Sequence, residues 1–216
     1  MTLLRLTGHI AGFGSTAGAR MVVGRWTMSP WGRFADVMVA HPDGHRLLLA
    51  PDAGVAELVA SAYTFDDVHI VPVIVAADPG QRVWRLTAGP LDATITIGGR
   101  TPLGRILRAA PAGHRSGRLF AAAVDPVARL LLPGVRTSGS AGPGWHEWYA
   151  ATDQHAIVAA RSVWGDDDLG GLADVSPPVG FGFGSTPRAP SVTALTSHIR
   201  TPDGAADGSG RGPAGP

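Results

Sequence analysis

Few carboxylates in this chain are placed to do chemistry. Among 17 acidic residues only Glu57 and Glu147 are glutamates. Glu147 sits in Trp145-His146-Glu147-Trp148-Tyr149-Ala150. On a strand, Trp145, Glu147 and Tyr149 share one face while His146 and Trp148 share the other. A carboxylate between aromatic rings loses solvent, its pKa rises, and it becomes suited to general acid catalysis. The alternative at the same position is an ion pair with one of the many arginines at a strand end. Asp36 poses a similar choice, because on a strand it shares a face with Phe34 and Met38. It is either buried in a polar pocket or placed at a strand end beside an arginine, with Arg46 on the returning strand as the candidate partner. Glu57 falls on the polar side of a short helix and reads as a solvated charge.

Other residue types exclude chemistry. The chain has 18 arginines and no lysine, so no protein Schiff base and no P-loop lysine can form. It has no cysteine, which removes thiolate nucleophiles, disulfides and thiolate-ligated metals. The eight histidines are scattered, and none pair at metal-ligand spacing on a helix. His41 and His45 bracket a turn and could face each other, but no third ligand stands near, so no metal site is expected. His146-Glu147 does not open a zincin motif, because Ala150 stands where the second histidine belongs. Asp166-Asp167-Asp168 lacks the surrounding pattern of a calcium loop and reads as an acidic turn. Ser138-Gly139-Ser140-Ala141-Gly142 departs from a nucleophile elbow at its first glycine and has no helix after it. Gly-Phe-Gly-Ser-Thr occurs at 12–16 and again at 182–186. Neither copy precedes a helix, so matching bends, neighbours in a closed barrel, are preferred to a phosphate loop.

The elements that must position these residues are mostly strands. Period-two alternation runs through Leu4–Ile10, Arg20–Met28, Phe34–His41 and Arg46–Ala50, with Pro42-Asp43-Gly44 as a hairpin turn. Val68–Val75 reads as one strand in which Pro72 marks an edge or a bulge. Val83–Ala88 and Leu91–Ile97 follow, closed by Gly98-Gly99. Later strands are expected at Trp145–Ala151 and Ala156–Trp164, joined by a Thr152–His155 hairpin, and at Val192–Arg200. Helices are expected after Asp52, with Val55, Leu58, Val59 and Ala62 on one face, after Thr101-Pro102, and after Asp125-Pro126. Strands and helices do not alternate, which argues against a parallel α/β fold. The expected class is mainly β (α+β): an antiparallel β-barrel or closed sandwich of about nine strands with two or three short helices. Residues 1–200 would form this domain, and 201–216, rich in Gly, Pro and Ala, a disordered tail.

Apolar residues make up 44% and charged residues 16%, enough for a buried core. A net charge of +1 with dispersed arginines lacks the footprint of a nucleic-acid binder. The first residues lack a signal peptide's apolar region, and Leu119–Val135 is broken by Asp125, Pro126, Arg129 and Pro133. A cytoplasmic protein without membrane partners is expected.

One segment carries a family likeness. Ser29-Pro30-Trp31-Gly32-Arg33-Phe34-Ala35-Asp36-Val37 resembles the Ser-Pro-x-Gly-Pro-Tyr segment, followed by an acidic pair, of acetoacetate decarboxylase-like proteins. Arg33 replaces the proline, Phe34 the tyrosine and Ala35 the first acid, and Asp36 stands at the second. The resemblance implies a β-rich barrel enclosing a pocket, with Asp36 as a pocket acid. The decarboxylation of that family runs through a lysine Schiff base, which this chain cannot form. The chain as a whole also resembles actinobacterial proteins of its length, a likeness that implies no particular activity.

The expectation is therefore a barrel that binds a small organic, carboxylate-bearing molecule without a cofactor. Arg33 or Arg46 would hold the anion, Asp36 and Glu147 would supply polarity, and aromatics including Tyr149 would line the walls. The alternatives are a lyase or isomerase using Asp36 or Glu147 as general acid or base, and a non-catalytic interaction module.

Overall fold

The computed structural model describes residues 2–109, 138–140, 146–182 and 186–201, with backbone alone for 2, 138–140, 146–149, 200 and 201. The expected helix after Asp125-Pro126 and the tail beyond Thr201 lie outside the described residues. The fold is mostly β, as the alternation implies. Twelve strands and two helices are present among the described residues. In chain order they are β1 (Thr2–Ser15), β2 (Arg20–Met28), β3 (Phe34–Ala40), β4 (Arg46–Ala50), α1 (Ala53–Ala62), β5 (Asp67–Ile70), β6 (Val73–Asp78), β7 (Val83–Ala88), β8 (Leu91–Arg100), α2 (Pro102–Ala109), β9 (Ser138–Ser140), β10 (His146–Trp164), β11 (Asp167–Ala173) and β12 (Ser191–Thr201).

All strands join one sheet in the order β5-β4-β3-β2-β1-β11-β10-β8-β7-β6, with β12 between β1 and β10 over most of their lengths and β9 on β10. Pairing is antiparallel except between β4 and β5, which run parallel because α1 crosses between them. The sheet curls until β6 comes against β3, giving a barrel-like wall around a common core.

Strand composition reports which faces are covered. In β7 and β8, Trp84, Leu86, Ala88, Leu91, Ala93 and Ile95 face the core while Arg85, Thr87, Asp92, Thr94 and Thr96 face outward. In β3 and β4 every residue from Ala35 to Ala40 and from Leu47 to Ala50 is buried. There Val37, Val39, Leu47 and Leu49 enter the core, while Met38, Ala40, Leu48 and Ala50 pack against Val55, Ala56 and Val59 of α1 and against Phe181. The continuous apolar runs follow from this double burial.

Four expectations need correction. The single strand over Val68–Val75 is two strands, since Pro72 cannot donate to a ladder. Both strands beside it are sheet edges, at opposite ends of the strand order. The hairpin at Thr152–His155 does not exist: β10 runs unbroken for 19 residues, with a register shift between Ala151 and Asp153. β11 starts within the acidic run, whose hairpin turn uses Gly165 at φ 59°. Gly98-Gly99 lies inside β8 rather than closing it.

Candidate functional site

Two cavities lie on opposite faces of the same strands. The larger, about 380 Å³, opens at one end of the curled sheet. One ladder row builds its floor. Arg25 on β2 stands directly opposite His9 on β1, His9 opposite Ala194 on β12, and Ala194 opposite Asp153 on β10. Residues paired directly across strands project from the same face, so the four line one wall. Ala194 leaves the gap between the histidine and the acid.

Trp84 on β7 closes the far side. Its ring receives the Arg25 guanidinium carbon at 5.8 Å and the edge-on His9 ring at 5.9 Å and 90°. No carboxylate pairs with Arg25 among the described residues. His9 Nδ1 is buried without a hydrogen-bond partner. Burial, then the charge of Arg25, then that of His155, pushes the His9 pKa down.

The cavity rim is a tied network. Arg82, at φ 55°, ends the β6–β7 turn in a left-handed conformation unusual for a residue with a side chain. Its guanidinium donates to Gly98 O and to His155 Nδ1, the latter at 2.7 Å. A guanidinium only donates, so Nδ1 accepts in this bond, and Nε2 faces Asp153 Oδ2 at 3.6 Å. Asp153 is held by Arg100 through two bonds of 2.7 and 2.9 Å, which keep its carboxyl below the usual range. Asp78 also lines the cavity and accepts from the Gln81 backbone N–H at 3.0 Å.

The smaller cavity, about 40 Å³, lies beneath α1 on the outer face of β1, β2, β3 and β12. Asp36 reaches it from β3, accepting a 3.0 Å hydrogen bond from Trp26 Nε1. Gly24, opposite Asp36, makes this possible: a Cβ there would lie 2.3 Å from Asp36 Oδ1 and 2.7 Å from Trp26 Nε1. Burial raises the Asp36 pKa to about 6, against the Trp26 bond, which favours the charged form.

The candidates from the sequence do not gather at one cavity. Arg33 is exposed after the Ser29–Gly32 turn, where Ser29 Oγ donates to Gly32 O. Arg46 pairs with Asp66 at 2.7 and 3.0 Å rather than with Asp36, and also donates to Gly180 O at 3.3 Å. The Arg46 guanidinium holds the Asp66 carboxyl well below the usual carboxylate range. Glu147 and Tyr149 stand opposite Ile199 and Ser197 in the ladder, and both of those residues line the Asp36 cavity. The Glu147 and Tyr149 side chains lie outside the described residues, as does Trp145. The two Gly-Phe-Gly-Ser-Thr copies do meet, since a Cβ on Gly12 would strike Thr186. The first copy is strand rather than bend, and residues 183–185 of the second lie outside the described residues.

Arg25, His9, Ala194, His155 and Asp153 escape a reading of single strands. One signal was present: Arg25 continues the inward row of Met21 and Val23, a charge on an apolar stripe. The rest depends on pairing between strands far apart in sequence. Among the described residues no group of three acidic or histidine side chains is placed to hold a metal ion. No helix among them is long and apolar enough to cross a membrane.

No protein-family profile and no curated protein matches this chain. Solved structures similar in backbone include the following two. A structure of acetoacetate decarboxylase is 9% identical, with a TM-score of 0.43, covering 93% of this chain and 87% of that one. An ATTH-type protein of Nitrosomonas europaea is 11% identical, with a TM-score of 0.31, covering 92% of this chain and 52% of that one. No residue role passes from either to this protein.

Proposed function

We propose that this protein binds a small organic monoanion, a carboxylate with an apolar body, in the cavity floored by Arg25, His9 and Ala194. The observation that carries the reading is the Arg25 guanidinium, half-buried against Trp84, lining a cavity of about 380 Å³ without a carboxylate partner among the described residues. Such a volume suits a small organic ligand. Asp153 brings no free negative charge, being neutralised by Arg100. Ile97, Val192, Ala194 and Trp84 offer the apolar wall that the rest of the ligand would need. The anion-holding role considered for Arg33 and Arg46 passes to Arg25 in this reading, because Arg33 points to solvent and Arg46 is occupied by Asp66.

General acid or base catalysis by Asp36 has less support. The raised pKa suits a proton donor, but about 40 Å³ holds a water or two and no substrate. Native mass spectrometry of freshly purified protein tests the reading. A co-purified small acid should be found on the wild type and lost in Arg25→Ala, whose melting temperature should stay close to wild type. An acid retained by Arg25→Ala, or displaced only when the α1 face is altered, would overturn it.

A further inference from the structure

His9 has two ring nitrogens and only one can serve a ligand. Nδ1 is buried without a partner. A proton placed there would be a buried donor with nothing to accept it, which is costlier than a lone pair left unused. The proton of the neutral ring therefore belongs on Nε2, the nitrogen left to meet the cavity. An imidazolium is disfavoured on every side. Arg25 stands directly opposite on β2, Trp84 packs against the ring from β7, Ala194 flanks it on β12, and His155 faces it from β10. The acids of the cavity do not offset this, because Asp153 is held by Arg100 and Asp78 accepts from the backbone of its own turn. His9 thus offers an uncharged N–H beside the charged arms of Arg25.

We propose that His9 is a specificity-determining residue that reads a neutral oxygen on the ligand, a hydroxyl or carbonyl within a few bonds of the carboxylate held by Arg25. This rests on the proposed binding of a monoanion in the same cavity. Direct cross-strand partners have Cβ atoms about 5 Å apart, so the two donors address neighbouring atoms of one small molecule. Arg25 selects for charge, and His9 selects among acids of equal charge. A buried donor without its acceptor disfavours the plain acid, so discrimination arises from both sides.

Isothermal titration with hexanoate, 2-hydroxyhexanoate and 3-hydroxyhexanoate tests this. Wild type should bind at least one hydroxy acid about fivefold or more tighter than hexanoate, the size of one net hydrogen bond. His9→Leu should bind all three equally, and His9→Gln, which keeps an N–H of similar reach, should recover the preference. Nitrogen NMR of the histidine rings should show His9 at pH 7 as the neutral form protonated on Nε2. Equal affinities in the wild type, with all three acids weakened by Arg25→Ala, would overturn the role of His9 and leave the anion site standing. A proton on Nδ1, or an imidazolium, would overturn it as well. Failure of all three acids to bind in the millimolar range would overturn the anion site itself. If His9→Leu does not fold, the wild-type affinity ratio and the ring spectrum decide alone.

Discussion

Asp36 and Arg25 show how much the same residue type depends on what it meets. Both lie on rows of apolar residues, on neighbouring strands but opposite faces. Arg25 reaches an open cavity, whereas Asp36 is buried beneath α1 with one donor among the described residues, Trp26 Nε1. The folded pKa of Asp36, about 6, stands above that of a solvated aspartate, so the folded protein holds a proton that the unfolded chain gives up. Stability from this group is fully present below about pH 4 and falls as the pH rises through 6, by on the order of 3 kcal/mol. Asp36→Asn keeps an acceptor for Trp26 and carries no charge. Between pH 4 and pH 7 the denaturant midpoint of the wild type should fall relative to that of Asp36→Asn, the difference between the two curves reporting Asp36 because the other titrating groups are common to both. Parallel curves for the two proteins would show that Asp36 titrates normally.

At the scale of elements, α1 behaves as its sequence implies. Asp52 caps it, Oδ1 accepting from Val55 N at 2.9 Å, and Val55, Leu58 and Val59 are buried. Removing the cap in Asp52→Ala should cost about 1 kcal/mol, measurable by urea denaturation. A loss below a few tenths would mean that packing against β3 and β4 holds the helix unaided. β10 is the opposite case. Its polar run Thr152–His155 has the composition of a turn, yet each of these side chains has a partner that keeps it in a strand. Thr152 Oγ1 donates to Ala194 O, Asp153 takes Arg100, Gln154 takes Thr101 and Thr193, and His155 takes Arg82. α2 settles onto the same stretch, where a Cβ on Gly104 would fall 2.1 Å from Gln154 O. None of these partners is near in sequence, so local composition pointed to the wrong structure.

Across the whole molecule, the curled sheet is filled at one end and open at the other. Phe13, Met21, Leu49, Leu86 and Leu91 pack the closed part, and the row carrying Ala194 marks where packing stops. The small side chain of Ala194 on that row leaves the gap between His9 and Asp153. Ala194→Leu should fill the gap between His9 and Asp153 and abolish binding of small acids, while the melting temperature holds or rises. Unchanged binding in a folded Ala194→Leu protein would move the ligand elsewhere.

Much of this architecture follows from local chemistry alone. The pattern of apolar residues and the turns between them mark β2, β4 and β7 to the residue, the caps at Asp52 and Thr101 mark the two described helices, and the absence of lysine excludes Schiff-base chemistry. These features depend on neighbours a few residues apart, which a linear reading contains. Tertiary structure alone decided that Arg46 belongs to Asp66, that Asp36 faces a helix instead of a barrel interior, and that Arg25, His9 and Asp153 share one row. A strand's alternation tells which residues lie together, but not which of two buried faces they occupy or which distant strand lies beside them. Those choices are made by register and by the curl of the sheet, and the candidate site is built from them.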